Sequence, residues 1–147
     1  MKKILLSLIT CLSLLAPVNV CASSKSMVYL SDDLYIETII TENISTYAMQ
    51  TKTGTKTNNY KDGSGHILFS VSVTGTFRYD GSSSTCTSSS VKTSVNDSNW
   101  KITSQSASKS GNKAIAYATA KKYYLSVAVE TRNETVTLTC DKNGKLS

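Results

Sequence analysis

Apolar and polar side chains alternate at every second residue along much of the chain, which is the pattern of strands with one buried face. The clearest case is residues 67–79, where one face carries Ile67, Phe69, Val71, Val73, Phe77 and Tyr79. Gly75 interrupts that face and predicts a bend or a bulge. Threonine at every second position of residues 51–57 predicts a preceding strand, and residues 62–65 supply the turn between the two.

Further turn residues divide the rest of the chain into short strands. These strands carry Cys86, then Trp100, and then the alternating alanines at 114, 116, 118 and 120. Two more are expected at 125–129 and 136–140, with Glu130 and Glu134 flanking a hairpin turn. About seven strands predict an all-β fold, either a single immunoglobulin-like β-sandwich or a partly open barrel. The spacing of Cys86, Trp100 and Cys140 partly matches an immunoglobulin domain.

Residues 34–47 fit two structures. Their apolar residues share one face of a helix, namely Ile36, Ile39, Ile40, Ile44 and Tyr47. With a period of two, Ile36, Thr38 and Ile40 instead share one face of a strand. The pattern favours a short helix. It lies in an N-terminal segment, residues 23–48, that we expect to be partly mobile, before a β-sandwich domain over residues 49–147.

Residues 1–22 have the parts of a secretory signal peptide: two lysines, an apolar run over residues 4–16, and small residues before the expected cut. We predict cleavage between Ala22 and Ser23, and therefore a secreted protein. A membrane anchor needs about 20 apolar residues, and this run is shorter. Lipidation of Cys21 is disfavoured because the residue before it is too large. The anchor and the lipoprotein are the alternatives to free secretion.

Removal of the signal peptide leaves two cysteines, Cys86 and Cys140. In an oxidising compartment a pair of cysteines predicts one disulfide bond. The closed loop of about 55 residues is worth roughly 4 kcal/mol on the chain-entropy model. The alternative is two free, buried thiols. Zinc is disfavoured, because two cysteines and a single histidine make a poor tetrahedral set.

Composition excludes several classes of function. The residues after the signal peptide include 22 serines and 18 threonines, which favours strands with solvated faces over helices. The net charge of +6 falls to +4 without the two signal-peptide lysines, too little for a nucleic-acid surface. No phosphate-binding loop or dinucleotide fingerprint occurs. We expect no cofactor, no metal, no nucleic acid, and no membrane contact after cleavage.

Several segments resemble a group of short secreted proteins from Gram-positive anaerobes. The resembling pieces are FSVSVTGTFRYD at 69–80, GSSSTCT at 81–87, residues 100–102, SKSGNKA at 108–114, and the closing VTLTC before GKLS. They lie within a matching segment from about residue 51 to residue 147, which is roughly two thirds of the chain. The family has no assigned activity. The resemblance therefore implies secretion and a β fold, and it transfers no functional residue.

Aromatic and basic residues near the end of the alanine strand are the best ligand-binding candidates: Tyr117, Tyr123, Tyr124, Lys121 and Lys122. Exposed rings can stack on sugars, and lysines can meet acidic groups. A cell-wall polymer or a host glycan is the partner that this chemistry suggests. The alternative is that these tyrosines, like Trp100, pack within the strands.

Catalysis is disfavoured by the residues available for it. His66 is the single histidine, and it lies beside Asp62 in a turn. No serine stands in a nucleophile-elbow motif, and Glu130 and Glu134 are not expected to face each other across a cleft as a glycosidase requires. The sequence therefore predicts a secreted, non-catalytic module that binds a surface or a glycan. The alternative is a small secreted effector that binds a protein partner.

Overall fold

The computed structural model describes the backbone of residues 20–44 and 50–147, and it is all-β. Side chains are described for residues 23–42 and 50–147. Eight strands follow one another: β1 (Val20–Ser31), β2 (Leu34–Ile44), β3 (Thr51–Asp62), β4 (Ile67–Tyr79), β5 (Ser84–Val95), β6 (Trp100–Ser110), β7 (Lys113–Tyr124) and β8 (Val127–Thr139). They form two antiparallel sheets, β1 to β5 and β6 to β8, in which neighbours in sequence are neighbours in space.

The smaller sheet covers only part of the larger one. Its strands pack on β3, β4 and β5, and its backbone does not come close to that of β1 or β2 within the described residues. The core therefore lies between β4 and the second sheet. Its fully buried side chains include Tyr60, Phe69, Val71, Val73, Phe77 and Leu138. This arrangement confirms the predicted all-β sandwich, and the strongest predicted strand, residues 67–79, is β4.

Small side chains let the two sheets approach closely. A Cβ atom added at Gly75 would lie 2.6 Å from the Cβ of Ala114 and 2.7 Å from the ring of Phe77. The alanines of β7 that face the core, Ala114, Ala116, Ala118 and Ala120, are all buried. Their alternation thus reflects a strand rather than a helix, as expected.

The outer face of the larger sheet explains much of the threonine content. Side-chain hydroxyls of β3 and β4 pair across the strands, at 3.0 Å for Thr53 and Thr76 and 2.8 Å for Thr55 and Thr74. Cross-strand threonine pairs stabilise an antiparallel sheet by a few tenths of a kcal/mol up to about 1 kcal/mol each. The face is therefore held together by hydroxyl contacts where a buried face would use apolar ones.

The predicted helix is wrong, because residues 34–44 form β2. Glu37 and Ile39 point to the outer face of the sheet, while Ile36 and Ile40 point to the inner face and pack at the margin of the core. Half-buried residues on both faces of one strand gave an apolar spacing that resembles a helix. Tyr47 lies outside the described residues.

The predicted strand count also changes. The N-terminal segment adds two strands, β1 and β2, while the strands expected at 125–129 and 136–140 belong to β8. The turn expected between Glu130 and Glu134 is wrong, since the turn lies earlier, at Leu125 and Ser126. The middle of β8 has polar residues on both faces, so the sequence shows no alternation of apolar and polar residues there.

The strand order differs from the Greek-key connections of immunoglobulin domains, because each sheet is a simple meander. Trp100 packs against Phe69, with 4.8 Å between ring centroids. Cys86 instead pairs with Phe77, near the opposite end of β4. The tryptophan is a core residue, as the alternative interpretation held, but it does not lie beside the cysteines.

Cys86 and Cys140 are free, buried thiols, so the predicted disulfide is absent from the structure. Each sulfur contacts a backbone carbonyl of its own segment, Cys86 that of Ser88 at 3.1 Å and Cys140 that of Asp141 at 3.5 Å. Their backbone amides bond to Gly111 and Asn112, two adjacent turn residues. The prediction rested on the presence of two cysteines in an exported chain, and their number does not show where each sulfur points.

Gly75→Val should destabilise the protein by about 1–3 kcal/mol, because the new side chain overlaps Ala114 and Phe77. Denaturant unfolding measures this change. Ser90→Val on the exposed face of β5 is the control, and it should alter the free energy of unfolding by less than about 0.5 kcal/mol. Equal effects of the two changes would contradict the close packing at Gly75.

Both thiols should react slowly with iodoacetamide in the folded protein. Burial raises the pKa of Cys86 and of Cys140, which lowers the fraction of reactive thiolate. Unfolding in denaturant without a reductant should make both alkylate, as counted by mass spectrometry. If alkylation in denaturant requires a reductant, a disulfide exists and the free-thiol assignment is wrong.

Candidate functional site

Four turns gather at one end of the sandwich, which we call the tryptophan end. They are residues 32–33, 63–66, 96–99 and 125–126, the turns that join β1 to β2, β3 to β4, β5 to β6 and β7 to β8. Backbone bonds from Asn96 and Asp97 to the carbonyl of Leu68 hold the third turn against the start of β4. Turns from both sheets thus meet around the side chain of Trp100, the first residue of β6.

A polar cleft of about 410 Å³ lies between these turns. Carboxylates and cations both line it, namely Asp33, Asp62, Asp97, Glu130, Lys122 and Arg132. Arg132 donates from Nε to Oε1 of Glu130 at 2.7 Å. The cleft can therefore offer both acceptors and donors to a polar ligand.

The buried wall of the cleft is aromatic. Trp100 lines the cleft but is only 3% exposed, and it packs on Phe69, which in turn stacks on Tyr60 at 4.3 Å. The indole Nε1 of Trp100 has no hydrogen-bond partner within the described part of the chain. A buried donor without a partner costs about 1–3 kcal/mol, so the structure carries an unfilled donor at this end.

His66 serves the turn in which it lies. A carboxylate oxygen of Asp62 accepts bonds from the backbone amides of Ser64 and His66, and its second oxygen lies 3.2 Å from the His66 ring. These bonds, led by that from the His66 amide, lower the pKa of Asp62. The His66 side chain is 80% exposed. Its contacts are those of a turn, with no nucleophile bonded to the ring.

The five predicted ligand-binding residues do not form one patch. Tyr117 and Lys121 point to the outer face of the smaller sheet, while Lys122 lines the cleft. Tyr123 also points to the outer face, beside Lys101, whose Nζ is 5.2 Å from the ring centroid. Tyr124 stands at the hairpin tip. The alternation of β7 therefore separates Tyr117, Lys121 and Tyr123 from Lys122.

The tip of the β7–β8 hairpin is strongly apolar. Four large side chains stand exposed there, with Leu125 at 83% and Tyr124 at 68%, followed by Val127 and Val129. Leu125 and Ser126 both have positive φ, 46° and 67°, in a two-residue turn that favours Asn and Gly. The sequence predicted a strand from residue 125, because neither Leu125 nor Ser126 is a residue typical of a two-residue turn.

A second open hollow, about 640 Å³, lies toward the opposite end, on the outer side of the larger sheet. Its lining is mainly polar and includes Thr51, Arg78, Asp80 and Thr85. No exposed large apolar side chain borders it, whereas all but Tyr117 of those found in the described residues lie near the tryptophan end. The distribution of exposed apolar side chains therefore makes the tryptophan end the stronger candidate for a binding site.

A buried carboxylate ties β1 and β2 to the rest of the larger sheet. Glu37 is 5% exposed and forms ion pairs with Lys25 at 2.5 Å and Lys61 at 2.9 Å, and it accepts a bond from Asn59. These partners, Lys25 first, lower the pKa of Glu37 to about 2. Ser70 donates to the amide oxygen of Asn59, so the network spans four strands.

Comparison with known proteins gives no relative: no family model, no curated protein and no solved structure matches the chain. The resemblance to secreted proteins of Gram-positive anaerobes therefore stays a prediction. Within residues 20–44 and 50–147 no helix could cross a membrane. The same residues bring together no group of three His, Cys, Asp or Glu side chains suited to a metal.

Acid should weaken the folded state partly through Glu37. Its carboxyl pKa is lower in the folded chain, about 2 against an ordinary 4.5, so folding favours the ionised form. That stabilisation is complete above the ordinary pKa and is lost as the pH falls toward 2. Glu37→Gln should flatten the fall in unfolding free energy between about pH 5 and pH 2, as measured by urea unfolding. An unchanged acid dependence would contradict this role.

Proposed function

We propose that the protein is exported and non-catalytic, and that it binds a partner at a surface through the tryptophan end. One observation carries the proposal: the exposed apolar side chains of the β7–β8 hairpin tip lie at the same end of the sandwich as a polar cleft. Exposed apolar patches with polar surroundings are typical of interaction sites. Export rests on the signal peptide predicted for residues 1–22. Residues 1–19 lie outside the described part of the chain, and the expected cut after Ala22 falls inside β1.

The apolar tip favours a protein as the partner. Leu125, Val127 and Val129 are aliphatic, and such side chains gain by transfer into an apolar pocket at roughly 25 cal/mol per Å² of buried area. Sugars instead favour flat aromatic faces and polar groups, of which the tip offers one, Tyr124. The effector that binds a protein partner, the second hypothesis from the sequence, is thus the better supported of the two.

The cleft keeps a glycan as the second candidate. Its carboxylates and cations can bond to hydroxyl and acidic groups, and Trp100, whose indole N–H has no partner in the described residues, forms part of its wall. Pockets that bind small ligands combine an apolar wall with a few polar groups. A cell-wall polymer or a mucin glycan fits that chemistry. In both cases the same end of the molecule makes the contact.

The strained turn at Leu125 and Ser126 supports a role for these residues in binding a partner rather than in stabilising the fold. Non-glycine residues at positive φ cost of order 1 kcal/mol each or more, and Asn-Gly would relieve that cost in this turn. An exposed Leu125 adds nothing to the core. A binding role explains why Leu125 is found at the tip in place of the Asn that this turn favours.

The double change Leu125→Asn and Ser126→Gly should raise the melting temperature while weakening binding. We expect retention on immobilised mucin, or on purified Gram-positive cell walls, to fall about tenfold or more, a loss of about 1.4 kcal/mol. Tyr117→Ser, on the outer face of the smaller sheet, is the control and should retain binding. Scanning calorimetry and retention measurements on the purified protein test both effects.

Treatment of the support with protease distinguishes a protein partner from a glycan. Retention that is lost after the support is treated with protease indicates a protein partner, and retention that survives protease indicates a glycan. No retention of the unchanged protein on either support would contradict surface binding. Equal retention of the double variant and the unchanged protein would exclude the hairpin tip.

A further inference from the structure

Two tyrosines stand side by side on the outer face of the larger sheet, next to the turn between β1 and β2. Tyr29 and Tyr35 are cross-strand partners, and their ring centroids are 5.5 Å apart with an angle of 40° between the rings. Tyr29 is 70% exposed. We call this pair the tyrosine platform. Rings that touch across two strands hold each other in place, so the pair presents one aromatic surface to solvent.

Two lysines lie beside the tyrosine platform and share one carboxylate. Glu37 follows Tyr35 by two positions, on the same face of β2, and it pairs with Lys25 and Lys61. Nζ of Lys61 is also 5.9 Å from the centroid of the Tyr35 ring. Because two cations meet one carboxylate, the cluster keeps a net positive charge. The Lys25 side chain is 58% exposed, so this charge is available to a ligand on the platform.

The face around the platform is rich in hydroxyls and cations. Its described strand residues include one carboxylate, Glu37, and four cations, namely Lys25, Lys61, Arg78 and Lys92. Most of the others are serine or threonine, such as the paired Thr55 and Thr74. Hydroxyl side chains both donate and accept hydrogen bonds, which suits the hydroxyl groups of a sugar. A protein partner would instead require a larger apolar centre than this face offers.

From these contacts we propose that the tyrosine platform binds an acidic sugar unit of a polysaccharide. One face of the sugar ring lies on Tyr29 and Tyr35, its carboxylate or sulfate accepts a bond from Lys25, and neighbouring units bond to hydroxyls of the sheet. The two rings select a sugar over an acidic peptide, and the net positive charge selects an acidic sugar over a neutral one. This inference goes beyond the proposed function, because neither the hairpin tip nor the cleft takes part in the site.

Single-stranded nucleic acid is the competing ligand, since it also combines rings with negative charge. It carries a charge on every unit, and its binding sites follow the backbone with a dense groove of cations. The platform has two cations beside it, and Glu37 offsets one of them. An acidic polysaccharide carries its charges farther apart, which matches this sparse arrangement better.

Titration calorimetry with soluble polymers tests the ligand class, on purified protein whose N-terminus is established by mass spectrometry. Chondroitin sulfate supplies acidic sugars of animal origin, and teichuronic acid supplies those of a Gram-positive cell wall. The protein should bind at least one of the two, and the preferred polymer identifies the source. Dextran has sugar rings without charge, and polyglutamate has charge without rings. Each of these controls should bind about tenfold more weakly or worse, because each lacks one half of the recognition.

Paired variants separate the ring from the charge. Tyr29→Thr keeps a strand-forming residue and should raise the Kd for the acidic polysaccharide about tenfold or more. Tyr124→Thr is its control, because Tyr124 is as exposed, 68% against 70%, but lies at the hairpin tip. Lys25→Gln should raise the Kd about threefold, and Lys25→Arg should restore it. Lys113→Gln, at an exposed lysine of the smaller sheet, should leave the Kd unchanged. Thermal melting of each variant confirms that the fold is kept.

Each remaining outcome would overturn the proposal. Absence of binding to both acidic polysaccharides removes the ligand. Equal binding to polyglutamate, or equal losses with Lys25→Gln and Lys113→Gln, shows attraction by charge alone. Tighter binding to an oligothymidylate assigns the platform to single-stranded nucleic acid. An unchanged Kd for Tyr29→Thr removes the platform from the site.

The tip variant, Leu125→Asn with Ser126→Gly, keeps this test separate from the test of the proposed function. It leaves the platform intact, so it should bind the soluble acidic polysaccharides as the unchanged protein does. On mucin or on cell walls the tip and the platform can contact one support at the same time, so loss of either contact lowers retention. Failure at the platform and failure at the tip are therefore distinct results.

Discussion

The smaller sheet has three strands and the larger has five, so the smaller sheet cannot cover the whole inner face of the larger one. The rest of the structure depends on this difference. The smaller sheet buries the inner face of β4 and reaches β3 and β5, so β2 touches only the margin of the core, through Ile36 and Ile40, and β1 lies beyond it. The strands beyond its reach need another source of stability. Glu37 contributes to it by pairing with Lys25 and Lys61 across three strands; its carboxylate is buried, while Lys25 stays largely exposed.

The close packing under the smaller sheet has the opposite character. Gly75 and the alanines of β7 contribute little apolar area, yet they let the sheets approach so that Phe77, Leu138 and Val136 fill the space around them. Packing of this kind tolerates little change in volume. The protein therefore combines a rigid centre, set by small side chains, with a margin whose cohesion depends on charge.

The sequence allowed prediction of those parts of the fold in which one face is buried and the other is solvated. β4 and β7 alternate cleanly because the core lies on one side of them, and both were predicted as strands. β2 packs on both sides, and the middle of β8 is polar on both sides, so neither shows a period of two. The candidate residues of β7 alternate between the two faces of the smaller sheet, so Tyr117, Lys121 and Tyr123 point outward while Lys122 lines the cleft. The sequence could not show that Asp33 and Asp62 line the same cleft, because that contact joins segments far apart in the chain.

The two ends of the sandwich differ because the chain closes only one of them. At the end opposite Trp100, the C-terminal residues return to pair with β8, and Leu146 packs against the bare backbone of Gly54. Gly144 lies so close to the ring of Tyr79 that no side chain would fit there. No comparable segment of the described chain closes the tryptophan end, where turns from both sheets surround a cleft and a donor without a partner. The C-terminal segment thus completes the core at one end, whereas the other end keeps a polar cleft and exposed apolar side chains in contact with solvent.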